Sequence, residues 1–231
     1  MEKYFDSHCH LSTKNVPNLN VGAIYNAAHF SDWDNIIRLS ESAENLYGAI
    51  GIHPWYVSDL PNNWFELLKN KLTENQKLMV GEIGLDKHHD NMDLQIDIFA
   101  KQLLLAHELN RPVQLHCVGA WEKMLAILKM YRNKLPSFII AHEYSGPLEI
   151  MQRLISEYNF FFSYGPRNLR NPLRILATPM GRILSETDGD NPDGVISVVE
   201  QMAEILNIAP KKMADIIYKN TMGILRHDQT A

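Results

Sequence analysis

Eight short β-rich runs, separated by longer stretches of helical period, constrain this chain more than any single residue does. The runs are Tyr4–His8, Val21–Asn26, Tyr47–Ile52, Leu78–Glu82, Pro112–His116, Phe138–His142, Phe160–Tyr164 and Arg182–Glu186. Between them lie amphipathic segments such as Asp93–Leu109, carrying Leu94, Ile98, Leu103, Leu105 and Leu109, and Trp121–Tyr131, carrying Met124, Leu125, Leu128 and Tyr131. Each is long enough to cross back over a sheet. Eight such units in 231 residues predict an α/β fold, a closed (β/α)8 TIM-type barrel near the small end of its size range. An open doubly wound sheet is the alternative. No linker, repeat or low-complexity tract interrupts the pattern, so residues 1–231 read as a single domain. A helix over Pro210–Leu225, with Pro210 in its first turn, comes last, and His227–Ala231 are expected to fray.

Composition bears on partners. Twenty-two basic against 27 acidic residues give a net charge of −5, which disfavours salt-sensitive wrapping of nucleic acid but leaves room for a metal site gripping one phosphate. Two cysteines, Cys9 and Cys117, are too few to staple the chain, and no basic segment followed by an apolar one opens it, so a cytoplasmic home is expected. No apolar run approaches the roughly 18 residues of a membrane span, and neither a membrane nor an obligate protein partner is implied.

The chemistry concentrates where strands end. Asp6-Ser7-His8-Cys9-His10 closes the first run, and in extended structure the two imidazoles point to the same side. Glu82, His116, His142 and Asp188 recur at or just beyond the ends of other runs, and all are metal-ligand types. In a barrel those ends converge on one face, so residues far apart in sequence meet there. Singly, each has an ordinary alternative, a capping carboxylate or a hydrogen-bonded core histidine. Jointly, such groups converging without a cation face heavy desolvation and repulsion. Four histidines and two carboxylates exceed one tetrahedral ion and suit two divalent ions sharing Glu82. One ion takes His8, His10, Glu82 and Asp188; the other takes Glu82, His116 and His142. Zinc is the first choice, with manganese, magnesium, cobalt or nickel as alternatives. His53, in Gly-Ile-His-Pro, reaches the same face as a substrate contact, and Trp55 beside it is a candidate floor for the pocket. His88 and His89 read as solvated loop residues, and Cys9 and Cys117 as small core residues turned away from the ligands.

These residues resemble the TatD-type metal-dependent hydrolases of the amidohydrolase-like barrel superfamily. The resemblance spans nearly the whole chain and rests on Asp6–His10, Gly51–Pro54, Gly81–Asp86, Pro112–His116, His142 with Ser145-Gly146, Glu186–Asp188 and Asn220-Thr221. It implies a (β/α)8 fold, two divalent ions on His8, His10, Glu82, His116, His142 and Asp188, and phosphodiester hydrolysis of the deoxyribonuclease kind. The chain departs from the family after His116, where Cys117-Val118-Gly119 replaces a serine, an arginine and an acid. Arg167 and Arg170, after the seventh run, are candidates to replace that phosphate-binding guanidinium. The expected activity is a divalent-metal-dependent phosphodiesterase or deoxyribonuclease in which a hydroxide bridging the ions attacks phosphorus, Asp188 accepts the proton and Glu82 holds the ions in register. Its substrate is DNA or a small phosphodiester. A small-molecule amidohydrolase or lactonase using the same dinuclear centre is the alternative, and a barrel that binds nucleic acid without catalysis is a third.

Overall fold

A computed structural model describes residues 3–10 and 21–226; the tail expected to fray, His227–Ala231, lies outside these residues. All eight expected strands are present: β1 (Tyr4–Cys9), β2 (Val21–Asn26), β3 (Leu46–Ile50), β4 (Met79–Asp86), β5 (Val113–Val118), β6 (Ile139–Ala141), β7 (Phe160–Tyr164) and β8 (Ile183–Ser185). They pair in chain order and every ladder is parallel. From β2 onward they alternate with α1 (Trp33–Ser42), α2 (Trp64–Glu74), α3 (Met92–Glu108), α4 (Trp121–Met130), α5 (Leu148–Glu157), then α6 (Pro166–Leu169) with α7 (Leu173–Ala177), and after β8 α8 (Val195–Ile205) with α9 (Pro210–Leu225). The sheet curls until β8 lies beside β1. Ser7 Oγ donates to the Ser185 carbonyl at 2.8 Å and Ser185 Oγ to the Phe5 carbonyl at 2.9 Å, so side chains stitch the seam. This is the (β/α)8 barrel the alternation predicts.

β2 and β4 are buried at every position, as parallel strands must be when helices cover one face and the barrel interior the other. On α4 the buried residues Trp121, Met124, Leu125 and Leu128 recur at three- and four-residue spacing, which gives the helix one apolar face toward the sheet.

Three strands run further than expected, β1 by one residue to Cys9 and two by more. β4 continues to Asp86 and β5 to Val118, so Glu82 and His116 sit inside strands rather than at their ends. The reason is local. Gly84 pairs with His116, and a Cβ there would lie 1.8 Å from the His116 carbonyl oxygen; without one, the two strands stay together through Asp86 and Val118. Gly81 serves the same approach, since its Cβ would meet that of Gln114 at 2.4 Å.

Helix α3 then fixes the loops above. Gln102 accepts from the Ile52 N–H at 2.7 Å and donates to the Ile52 carbonyl at 3.1 Å, while Gln95 accepts from Asp86 N–H at 2.8 Å and donates to the Asp86, His89 and Asp90 carbonyls. Both glutamines are fully buried, so these bonds are the way their amides are satisfied.

Candidate metal centre

A cleft of about 380 Å³ opens at the C-terminal ends of the strands, and His10, Glu82, His116, His142 and Asp188 line it. Glu82 is its hub. Oε1 lies 2.8 Å from His116 Nδ1, 2.8 Å from His142 Nε2 and 3.3 Å from His53 Nε2. Oε2 lies 3.4 Å from His8 Nε2 and 3.9 Å from His10 Nε2. Asp188 Oδ1 faces the second pair, 3.2 Å from His10 Nε2 and 3.8 Å from His8 Nε2. The two oxygens of one carboxylate thus face different histidines, Oε1 facing His116, His142 and His53, and Oε2 facing His8 and His10. The rings of His8 and His142 stack at 4.0 Å, so the groups adjoin.

Asp188 reaches this position through an unusual backbone. Its φ is 48°, in the left-handed region that aspartate tolerates better than most residues, and its N–H donates to the His8 carbonyl at 3.0 Å. Glu143, directly after His142, also has positive φ, at 40°. Strain of this kind collects at functional sites.

The outward nitrogens of the four histidines are also engaged. His8 Nδ1 meets Gln114 Oε1 at 3.3 Å, His10 Nδ1 the Asn26 carbonyl at 3.1 Å, His116 Nε2 Asp86 Oδ2 at 3.4 Å, and His142 Nδ1 Glu186 Oε1 at 3.5 Å. Each outward neighbour is an acceptor, hydrogen-bonded to His8, His10 and His116 and facing His142 Nδ1 just beyond hydrogen-bond geometry. In the neutral ring such a neighbour keeps the one proton on the outward nitrogen and leaves the inward nitrogen with a lone pair aimed at the cleft. His53 is wired the opposite way: its Nδ1 accepts from the Trp55 N–H at 3.2 Å, so in the neutral ring Nε2 carries the proton and is a donor.

The electrostatics follow from crowding in a dry site. Burial pushes the Glu82 carboxyl up, but the His142, His53 and His8 imidazoles outweigh it and hold the group well below the carboxylate range. Asp188 is likewise held low, burial being overcome by its bond to His10 and by His8 and His142. Burial would lower His142, yet Glu82 and Glu186 raise it well above an ordinary histidine. His116 is raised by Asp86 and Glu82, and His10 by Asp188 and Glu82, against the same opposition from burial. At His53 burial wins and the value falls.

Of the remaining expected site residues, Arg167 lines the cleft and forms short ion pairs with Glu143 and Asp188, whereas Arg170 is exposed and lies outside the cleft-lining set. His88 and His89 are on an exposed loop as expected, yet both also line the cleft. Cys9 is buried; Cys117 is buried but reaches the cleft wall.

Sequence reasoning assigned no role to Asp86, Glu186, Gln114 or the Asn26 carbonyl. A signal existed for three of them. Gln114 stands two residues before His116, Glu186 two before Asp188 and Asp86 four after Glu82, the even spacings that put strand residues on one face.

The donor set fits metal ions. Among the described residues, three overlapping groups bring ligand atoms within 4.8 Å of one another: His8 with His10 and Asp188, His8 with Glu82 and His142, and His53 with Glu82 and His116. His8 Nε2, His142 Nδ1 and both Glu186 oxygens are buried without a hydrogen-bond partner; a cation held by His8 Nε2 and His142 Nε2 would satisfy the first directly and would leave the His142 Nδ1–H polarised toward Glu186.

A buried histidine–carboxylate cluster on the C-terminal face of a (β/α)8 barrel defines a metal-dependent hydrolase. The model of the TatD related DNase family matches residues 5–226, and the chain belongs to that family. It is 26% identical to the uncharacterized metal-dependent hydrolase YabD of Bacillus subtilis, with 96% of this chain and 98% of that one covered. It is 30% identical over 158 residues, 65% of this chain and 60% of the other, to the 3'-5' ssDNA/RNA exonuclease TatD of Klebsiella pneumoniae. The crystal structure of YJJV, a TatD homolog from Escherichia coli, superposes with a TM-score of 0.84 at 24% identity, covering 96% of this chain and 97% of that one, and shares the fold. Among the described residues no helix is long and apolar enough to cross a membrane.

Proposed function

We propose that the protein hydrolyses phosphodiester bonds in nucleic acid, with two divalent ions, zinc first among them, that His8, His10, Glu82, His116, His142 and Asp188 would hold. One observation carries the reading: each of His8, His10, His116 and His142 turns its outward nitrogen toward an acceptor and its inward nitrogen toward Glu82 or Asp188. The nuclease named among its relatives supports the choice of phosphorus. Free Cys9 and Cys117 fit a reducing, cytoplasmic setting.

Divalent ions bound there supply Lewis acidity toward water and toward the phosphoryl oxygens. The chain's own residues do the rest. Asp188, ionised at neutral pH and at the cleft surface, accepts the proton of the attacking water. His53 presents Nε2–H to a substrate oxygen. Arg167 gives up part of its pairing with Glu143 and Asp188 to a non-bridging phosphoryl oxygen, and so supplies from α6, directly after β7, the guanidinium missing after His116. Arg170, exposed outside the cleft, is withdrawn from the proposed contacts.

The test is metal content by elemental analysis with turnover of bis(p-nitrophenyl) phosphate and a single-stranded oligonucleotide, before and after chelation and readdition. About two equivalents of metal and restored turnover are expected, and Asp188→Asn should retain metal and lose turnover. Hydrolysis of cyclic amides or lactones with no phosphodiester turnover would overturn the reading in favour of a carbonyl substrate.

A further inference from the structure

Trp55 is the odd tryptophan. Trp33 and Trp121 are 3% and 5% exposed, whereas Trp55 is 49% exposed at the wall of the metal cleft. An indole left half in water forgoes much of its burial energy, so its place needs a reason.

It is not loosely held. The indole Nε1 donates to Asp86 Oδ2 at 2.7 Å, and the backbone N–H is bound by His53 Nδ1. His89 stacks against the ring, centroids 4.7 Å apart and planes 21° from parallel, and is itself tied to Asp86 at 3.3 Å. The rings of His53 and His116 stand edgewise to it at 4.8 and 6.3 Å. A carboxylate that also backs His116 therefore anchors a fixed aromatic pair one side chain away from the centre.

We infer that the Trp55–His89 pair is a stacking site for an unpaired nucleobase adjoining the scissile phosphodiester. The inference rests on the phosphodiesterase reading and narrows it to strands whose bases are free to leave the helix. Flat π-faces accept any base without reading its edge, and a base enters such a site only when unpaired. Arg167 on the cleft wall supplies charge for the phosphate, so planar and anionic parts of one nucleotide each have a counterpart. Pre-fixing the indole through Asp86 lowers the ordering cost on binding.

The test compares labelled oligothymidylate with an abasic strand of equal length. Binding is read by fluorescence anisotropy on chelated protein, and kcat and KM on metal-loaded protein. The wild type should bind the base-bearing strand about 5- to 150-fold tighter. Trp55→Ala should erase that preference while leaving the affinity for the abasic strand within about twofold of wild type, and Trp55→Phe should keep most of it. The change should fall on KM rather than kcat. Equal loss for both strands, or no difference between them in the wild type, overturns the platform. Base-dependent binding lost in Trp55→Ala, without hydrolysis of either strand by loaded protein, upholds the platform and sinks the hydrolytic reading instead.

Discussion

Glu82→Gln is the substitution that most directly tests how the centre is held together. Glu82 is 2% exposed, with imidazole nitrogens at 2.8, 2.8, 3.3 and 3.4 Å. Unit charges about 3 Å apart attract by roughly 5 kcal/mol at an effective dielectric near 20. Against the desolvation already incurred, breaking one partner of a buried pair costs about 3–5 kcal/mol. The depressed Glu82 carboxyl contributes stability above its usual value of 4.5 and loses it as pH falls through its lower folded value. The raised His116 and His142 contribute fully below 6.5 and lose their share as pH rises through their folded values. The penalty for Gln is thus greatest between those limits. In chelator at pH 6 the variant should melt about 6–20 °C lower, taking roughly 2–4 °C per kcal/mol for a chain of this size. At pH 9.5 the gap should shrink. Chelator competition, a separate measurement on the metal-bound state, should show zinc affinity lower by about two to three and a half decades, taking a similar cost of about 3–5 kcal/mol for the lost carboxylate at roughly 1.4 kcal/mol per decade. Equal melting losses at both pH values would make the cost one of packing, and zinc affinity within tenfold of wild type would remove Glu82 from the ligands.

Gly84→Ala places a Cβ 1.8 Å from the His116 carbonyl, a backbone atom that cannot swing away, so melting should fall by the equivalent of about 3 kcal/mol or more, and an unchanged melting curve would contradict the β4–β5 approach. Glu186→Gln should weaken metal binding about 10- to 100-fold, measured by chelator competition, without lowering the melting temperature of chelated protein; a destabilised fold with unchanged affinity would make Glu186 structural. Arg167→Ala, at a side chain 65% exposed, should change stability by less than about 1 kcal/mol. It should also raise KM for phosphodiesters about tenfold, for the loss of a charge-assisted hydrogen bond, and an unaltered KM would leave it a surface ion pair.

The ligand candidates were legible because the barrel converts a one-dimensional regularity into a place. His8, His10, Glu82, His116, His142 and Asp188 are scattered over 180 residues, yet each follows an apolar run, and apolar runs in chain order become neighbouring strands. Glu82 Oε1 faces His116, His142 and His53, while Oε2 faces His8 and His10. The second layer was hidden by strand length. A strand ending at Glu82 does not place Asp86 on any face; with β4 running to Asp86, it shares the face of Glu82 and meets His116 and Trp55. That extension depends on Gly84 admitting the His116 carbonyl, a contact between strands that propensity along one strand does not register. The tautomer of His53 was equally out of reach, because it is set by the Trp55 N–H in a turn whose geometry only the folded chain specifies. Yet that one hydrogen bond decides between ligand and donor. A nitrogen that already accepts leaves its partner protonated, so His53, 3.3 Å from Glu82 and as near as His8, faces the cleft as a proton donor while His8 faces it with a lone pair.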